Sequence, residues 1–133
     1  MDSTQIVRGL VGVRFVSGGR NVATGLDCWG LVMEVYKRCG QPIQDFLVDA
    51  FAFETIDAYA KRELGTPQWE QVEKPKDWDA PLVVLMCMHR EYITHAGVFL
   101  GGNRIMHTLQ ATGTVISSVR ALRPYIVGYY RPC

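Results

Sequence analysis

Cys28 follows Asp27 directly and opens the apolar part of the segment GLDCWGLVMEVYKRCG, residues 25 to 40. In the first turn of a helix a cysteine sits among main-chain N–H groups that lack intrahelical partners, near the positive end of the helix dipole. That setting is expected to lower a thiol pKa, and the thiolate is the species that attacks in cysteine hydrolases. The same N–H groups can hold an oxyanion. The competing reading is that Cys28 is a small residue filling the start of a buried stripe.

A second set of residues comes from THAGVFLGGNRIMHT, residues 94 to 108, where two apolar runs flank Gly101, Gly102 and Asn103, a hairpin turn signal. With a three-residue loop Leu100 faces Arg104 and His107 faces Gly97. His95 and His107 then share a sheet face one diagonal step apart, about 7 Å by Cα. A two-residue turn at Gly102 and Asn103 would shift the pairing by one and send the rings to opposite faces. If the rings meet, one imidazole can take the thiol proton while the other fixes its tautomer. Taken singly, a histidine on a strand is more often a hydrogen-bonded core residue than a catalyst. Zinc ligation by Cys28, His95 and His107 is a further alternative.

The elements that must position these residues are legible in the pattern. Asp27 is a helix N-cap type, Gly40 a C′ residue, and Pro42 lies beyond. Cys28, Leu31, Val32, Val35, Tyr36 and Cys39 form one apolar stripe between them. A second helix is expected within residues 46 to 64, from the spacing of Val48, Phe51, Ala52, Ile56, Tyr59 and Ala60, ended by Gly65 and Pro67. Residues 66 to 81 hold three prolines, two tryptophans and six charged residues, which predicts an irregular or edge-strand connection over the core. From PLVVLMCM onward, short apolar runs between turn residues predict an antiparallel sheet. Helices first and strands afterward make an α+β domain.

The 133 residues suit one domain, 1–133, with a single core and no need of disulfides. Four cysteines form no C-x-x-C pair and read as reduced thiols. With 14 Lys and Arg against 13 Asp and Glu, the net charge of +1 gives no footprint for nucleic acid. No run has transmembrane length and the N-terminus has no secretory signal pattern, so synthesis in the cytoplasm is expected, without membrane insertion.

LDCWGLV, HAGVFLG and IMHT, in this order, resemble the signature blocks of the NlpC family of cell-wall cysteine peptidases. RFVSGGR resembles the aromatic and Gly-Gly segment that precedes the family's cysteine, and IVGYYRP resembles the end of its phage tail-assembly branch. The resemblance implies a papain-like fold, with N-terminal helices packed on a central antiparallel sheet, and hydrolysis of an amide bond in peptidoglycan stem peptides, of the γ-D-glutamyl-diamino acid type. It implies Cys28 as nucleophile, His95 as general base and His107 as the orienting residue. Asp27 would meet the free amine of the substrate or act as N-cap, and Trp29 and Phe15 would border the substrate groove. No cofactor or metal is implied. The partners implied are the stem peptide and other phage tail proteins, with the protein carried in a virion tail or delivered to the cell wall. Phe15 stands where many relatives carry a tyrosine, and Trp29 where cell-wall members usually have serine. A structural tail-assembly protein of the same fold, with little or no activity, is therefore the alternative function.

Of the remaining candidates, His89 reads as a solvated loop residue between strands. Arg20 and Arg104 could contact a substrate carboxylate or serve as surface residues beside turns. The tryptophans other than Trp29 are expected to cover the core edge.

Overall fold

The computed structural model describes residues 2–46, 49–89 and 91–133. In chain order the elements are α1 (Ser3–Val7), β1 (Arg20–Asn21), β2 (Gly25–Leu26), α2 (Cys28–Arg38), α3 (Phe53–Leu64), β3 (Trp69–Gln71), β4 (Leu82–Met86), β5 (His95–Gly101), β6 (Arg104–Leu109), β7 (Gly113–Ser118), α4 (Val119–Leu122) and β8 (Ile126–Pro132). The main sheet runs β3-β8-β4-β5-β6-β7, every neighbour antiparallel, and β1 and β2 form a separate two-stranded ribbon. This is the expected α+β arrangement. Among the described residues, no helix is long and apolar enough to cross a membrane.

The stripe on α2 explains its packing. Leu31, Val32, Val35 and Tyr36 are buried and join Val83, Leu85, Ala96, Val98, Leu100 and Met106 of the sheet in the larger core cluster. Alternation along β4 sends Leu82, Val84 and Met86 into a second cluster with Phe99, Ile105 and Leu122. α2 ends where glycine permits it: Gly40 has φ +76°, and Gln41 N–H donates to Tyr36 O at 2.9 Å. Its start is held by a close approach. A Cβ on Gly30 would collide with the carbonyl oxygen of Gly19, so the loop before β1 can rest on the first turn of α2 only because residue 30 has no side chain.

The second helix begins later than its periodicity predicts, at Phe53. Phe46 and residues 49–51 are not helical, and Val48 lies outside the described residues. The reason is local: Ala52, at the N-cap, supplies no side-chain bond, and Phe51 is half exposed rather than part of a buried stripe. One buried polar residue anchors α3. Asp57 accepts from Ile93 N–H at 2.8 Å and from Lys61 Nζ at 3.0 Å, which ties the helix to the chain just before His95.

Residues 66–81 contain the expected edge strand, β3, paired to β8. Trp69 packs against the core, but Trp78 is 81% exposed and does not cover its edge, contrary to expectation. It sits on a short 3-10 turn, Asp77–Asp79, none of whose residues is buried.

Candidate active site

The β5–β6 hairpin decides whether the two histidines meet. Gly102 and Asn103 both have positive φ, 59° and 61°, and Gly101 pairs with Arg104, so the turn itself is the two-residue kind. The register shifts between Phe99 and Gly101, however, and Phe99 pairs with Ile105 and Val98 with Met106. That bulge absorbs one residue and restores the register of the longer loop. His95 Nε2 and His107 Nδ1 accordingly lie 2.8 Å apart.

The contact continues one residue further than the sequence suggests. His107 Nε2 lies 2.8 Å from Ser117 Oγ, on β7. His107 pairs with Val115, and Ser117 is the diagonal neighbour two residues on. If His95 carries its proton on Nε2 and donates it to His107 Nδ1, then His107 carries its own on Nε2 and donates to Ser117. That tautomer leaves His95 Nδ1 with a free lone pair. With both of its nitrogens engaged, by His95 and by Ser117, His107 is in hydrogen-bond rather than zinc-ligand geometry.

Cys28 is the first residue of α2, with Asp27 as its N-cap. Cys28 and His95 border the same cavity, and the main-chain amide of Ala96, next to His95, favours negative charge on the sulfur, as does that of Trp29. These effects do not prevail. Burial, and then the negative charge of Asp27, push the Cys28 thiol up to about 11, opposite to the lowering expected from a helix start. Burial, and then neighbouring His107, depress His95 to about 3. The resting pair is therefore a neutral thiol and a neutral imidazole, and the same burial that keeps His95 unprotonated also weakens it as a base.

Asp27 is 4% exposed and its carboxylate is fully engaged. Oδ1 accepts from Gly30 N–H at 2.8 Å and from Arg20 Nη1 at 2.6 Å, and Oδ2 from Gly18 N–H at 2.9 Å. Arg20 also meets Asp45 at 3.0 Å. Arg104 bonds Ser3 Oγ at 3.1 Å, so both arginines considered for substrate binding have partners within the chain.

Phe15 and Trp29 line the cavity with Cys28 and His95. Phe15 packs against Phe51, centroids 6.2 Å apart, and Trp29 donates its indole N–H to Gln44 O at 2.9 Å. His89 is exposed as expected, yet it also lines the cavity, stacked on Phe53 at 4.0 Å between centroids. Sequence reasoning set it aside because a loop histidine carries no pairing signal. Ser117 was reachable: extending the hairpin register from β6 to β7 would have put its side chain beside His107.

The sequence profile of the NlpC/P60 family matches residues 12–127, a span that holds Cys28, both histidines and Ser117. The chain belongs to the NlpC/P60 family. Solved structures agree with this NlpC/P60 fold. The NlpC/p60 domain of the peptidoglycan hydrolase SagA superposes with TM-score 0.63 at 18% identity, covering all of both chains. NlpC1 from Trichomonas vaginalis gives 0.68 at 16% identity over 98% of this chain and 42% of its own. A Staphylococcus aureus protein described as similar to a lipoprotein of the NLP/P60 family gives 0.59 at 21%, over 98% and 41%. The NlpC/P60 chain described here thus spans about two fifths of the trichomonad and staphylococcal proteins. Comparison with curated protein sequences gives no match.

The chain of hydrogen bonds makes a first prediction. His107→Ala leaves His95 Nε2 without its partner, and the productive tautomer is no longer enforced. Activity should fall by roughly 10²- to 10⁴-fold in kcat/KM, by analogy with loss of the orienting group in a triad. His107→Asn, which can still accept from His95, should recover part of it. Steady-state kinetics on the three proteins checks this, and equal loss in both variants would count against an orienting role.

Proposed function

We propose that this NlpC/P60 domain is a cysteine peptidase that cleaves an amide bond in peptidoglycan stem peptides, of the γ-D-glutamyl-diamino acid type. The observation that carries the reading is the 2.8 Å contact between His107 Nδ1, buried behind the wall, and Nε2 of His95, which lines the same cavity as Cys28. The family, and the chain's likeness in fold to SagA, a peptidoglycan hydrolase, support the substrate class.

In this reading Cys28 Sγ attacks the scissile carbonyl carbon as the thiol proton passes to His95 Nδ1. The attack and the proton transfer are concerted, because neither group is charged at rest. The oxyanion faces main-chain N–H groups of the first turn of α2. His95 then gives its proton to the leaving nitrogen, the amine departs and a thioester remains. A water molecule that loses its proton to His95 attacks the thioester, releasing the carboxylic acid and restoring the thiol.

The test is digestion of defined muropeptides followed by mass spectrometry. The expected result is a pair of fragments whose masses add to that of the substrate plus one water, with the break between the γ-carbonyl of D-glutamate and the α-nitrogen of the diamino acid. Intact peptides after prolonged incubation would overturn the reading.

A structural tail-assembly role is the second reading, and two observations favour it. The thiol is raised and the imidazole lowered, both against an ion pair. Phe15, lacking a hydroxyl, cannot donate to an oxyanion. The place of action proposed for either reading, a virion tail or the cell wall reached by delivery, rests on the resemblance of Trp29 and of the IVGYYRP segment to the phage branch.

A further inference from the structure

The cavity beside Cys28 extends well past the reacting atoms. Its volume is about 530 Å³, within the range of small-molecule sites. Beyond the thiol its wall is aromatic and aliphatic, built by Trp29, Phe46, Ile56, Tyr59, Leu64 and Trp69. The ring of Trp29 lies 5.5 Å from Phe46 and 6.2 Å from Trp69 between centroids, and Phe46 lies 6.2 Å from Tyr59.

Charge in this wall is confined to carboxylates and imidazoles. Asp27 is consumed by Arg20 and two main-chain amides. Glu63 is different: it makes no ion pair among the described residues, and the one hydrogen bond its carboxylate accepts there is from Trp69 Nε1 to Oε1 at 3.1 Å. No lysine or arginine lines the cavity among the described residues. The basic neighbours of Glu63 in sequence are turned elsewhere, Lys61 to Asp57 at 3.0 Å and Arg62 to the face of Tyr59, 4.8 Å from its centroid. Imidazole His95 is neutral. A substrate carboxylate entering this space would lie near Glu63 with no lysine or arginine to meet it, whereas an ammonium would find a carboxylate and aromatic faces.

The geometry points to a subsite for a straight aliphatic side chain ending in an ammonium group, as in lysine or ornithine. Its methylenes lie against Trp29, Tyr59 and Trp69, and its ammonium meets Glu63. The assignment rests on the amide-hydrolase reading above and narrows it: the diamino acid favoured is one without a second carboxylate, and diaminopimelate is disfavoured.

Three peptides separate the contributions: γ-D-glutamyl-L-lysine, its L-norleucine analogue, which keeps the methylenes and lacks the amine, and its meso-diaminopimelate analogue, which adds a carboxylate. On the full chain, kcat/KM for the lysine peptide should exceed that for norleucine by about tenfold or more, the scale of a hydrogen bond to a charged group. The diaminopimelate peptide should fall below lysine. In Glu63→Gln the lysine-to-norleucine ratio should collapse toward one. A wild-type ratio near one, or an unchanged ratio in Glu63→Gln, would overturn the subsite. Affinities of the same peptides for Cys28→Ala, measured by calorimetry, test it without turnover. If wild type cleaves none of them, the hydrolase reading falls, and the binding order still decides the cavity. Lysine bound tightest sustains the subsite; norleucine bound as well or better, or no peptide bound, overturns it.

Discussion

Cys28→Ala should reduce hydrolysis to background, a loss of about 10⁶-fold where the nucleophile is the sole covalent route. The expected change in folding stability is small, within about 1 kcal/mol. The thiol is half-buried at the start of α2, and the anchors of that helix lie elsewhere, in the Asp27 cap and in Leu31, Val32 and Val35. Removing the sulfur also removes a group that burial and Asp27 both hold protonated, so no charge is left unpaired. The measurement is muropeptide cleavage by both proteins at equal concentration, with urea unfolding to show that the variant is folded. Retained cleavage by a folded variant would assign the chemistry to another residue.

What was legible in the sequence followed from local rules. The α2 stripe, its cap at Asp27 and its stop at Gly40 needed only spacing and residue type, and an antiparallel sheet over β4 to β8 followed from runs and turns, though not the place of β8 between β3 and β4. The meeting of His95 with His107 depended on one register, and the choice between loop lengths did not settle it. The structure combines a two-residue turn at Gly102 and Asn103 with a bulge between Phe99 and Gly101, and only the sum of the two brings the imidazoles together. A bulge leaves little trace in composition beyond a glycine, which the turn already accounted for.

The misses share a physical cause, tertiary context overriding a local preference. Apolar spacing runs back through Phe51 and Ala52, yet the chain uses Phe46 and Phe51 to wall the cavity rather than to continue α3. The helix dipole at Cys28 is present, but its effect is opposed by burial and by a carboxylate one residue away. Neither term can be read from spacing alone, because both depend on what covers the helix start.

That carboxylate carries the largest predicted stability effect. Asp27→Ala removes the N-cap of α2, leaves the main-chain N–H groups of Gly18 and Gly30 without partners, and separates Arg20 from its more buried partner. Loss of one member of a buried pair costs about 3–5 kcal/mol, and loss of a cap about 1 kcal/mol. Arg20 keeps Asp45 and is about one fifth exposed, so the expected total is nearer roughly 3 kcal/mol than the sum. Asp27→Asn retains two acceptor positions on one oxygen and should cost less. It also removes the negative charge that is the second cause of the raised Cys28 thiol, so the thiol should titrate lower than in wild type, with burial still holding it above an exposed cysteine. The two variants therefore separate the jobs of one side chain. Urea midpoints should order wild type above Asn above Ala, while ultraviolet thiolate absorbance against pH should shift downward in Asp27→Asn. If Asp27→Ala lost less than about 1 kcal/mol, the cap and ion pair would not be what holds Cys28 at the cavity mouth, and the carboxylate would be left for the substrate's amine.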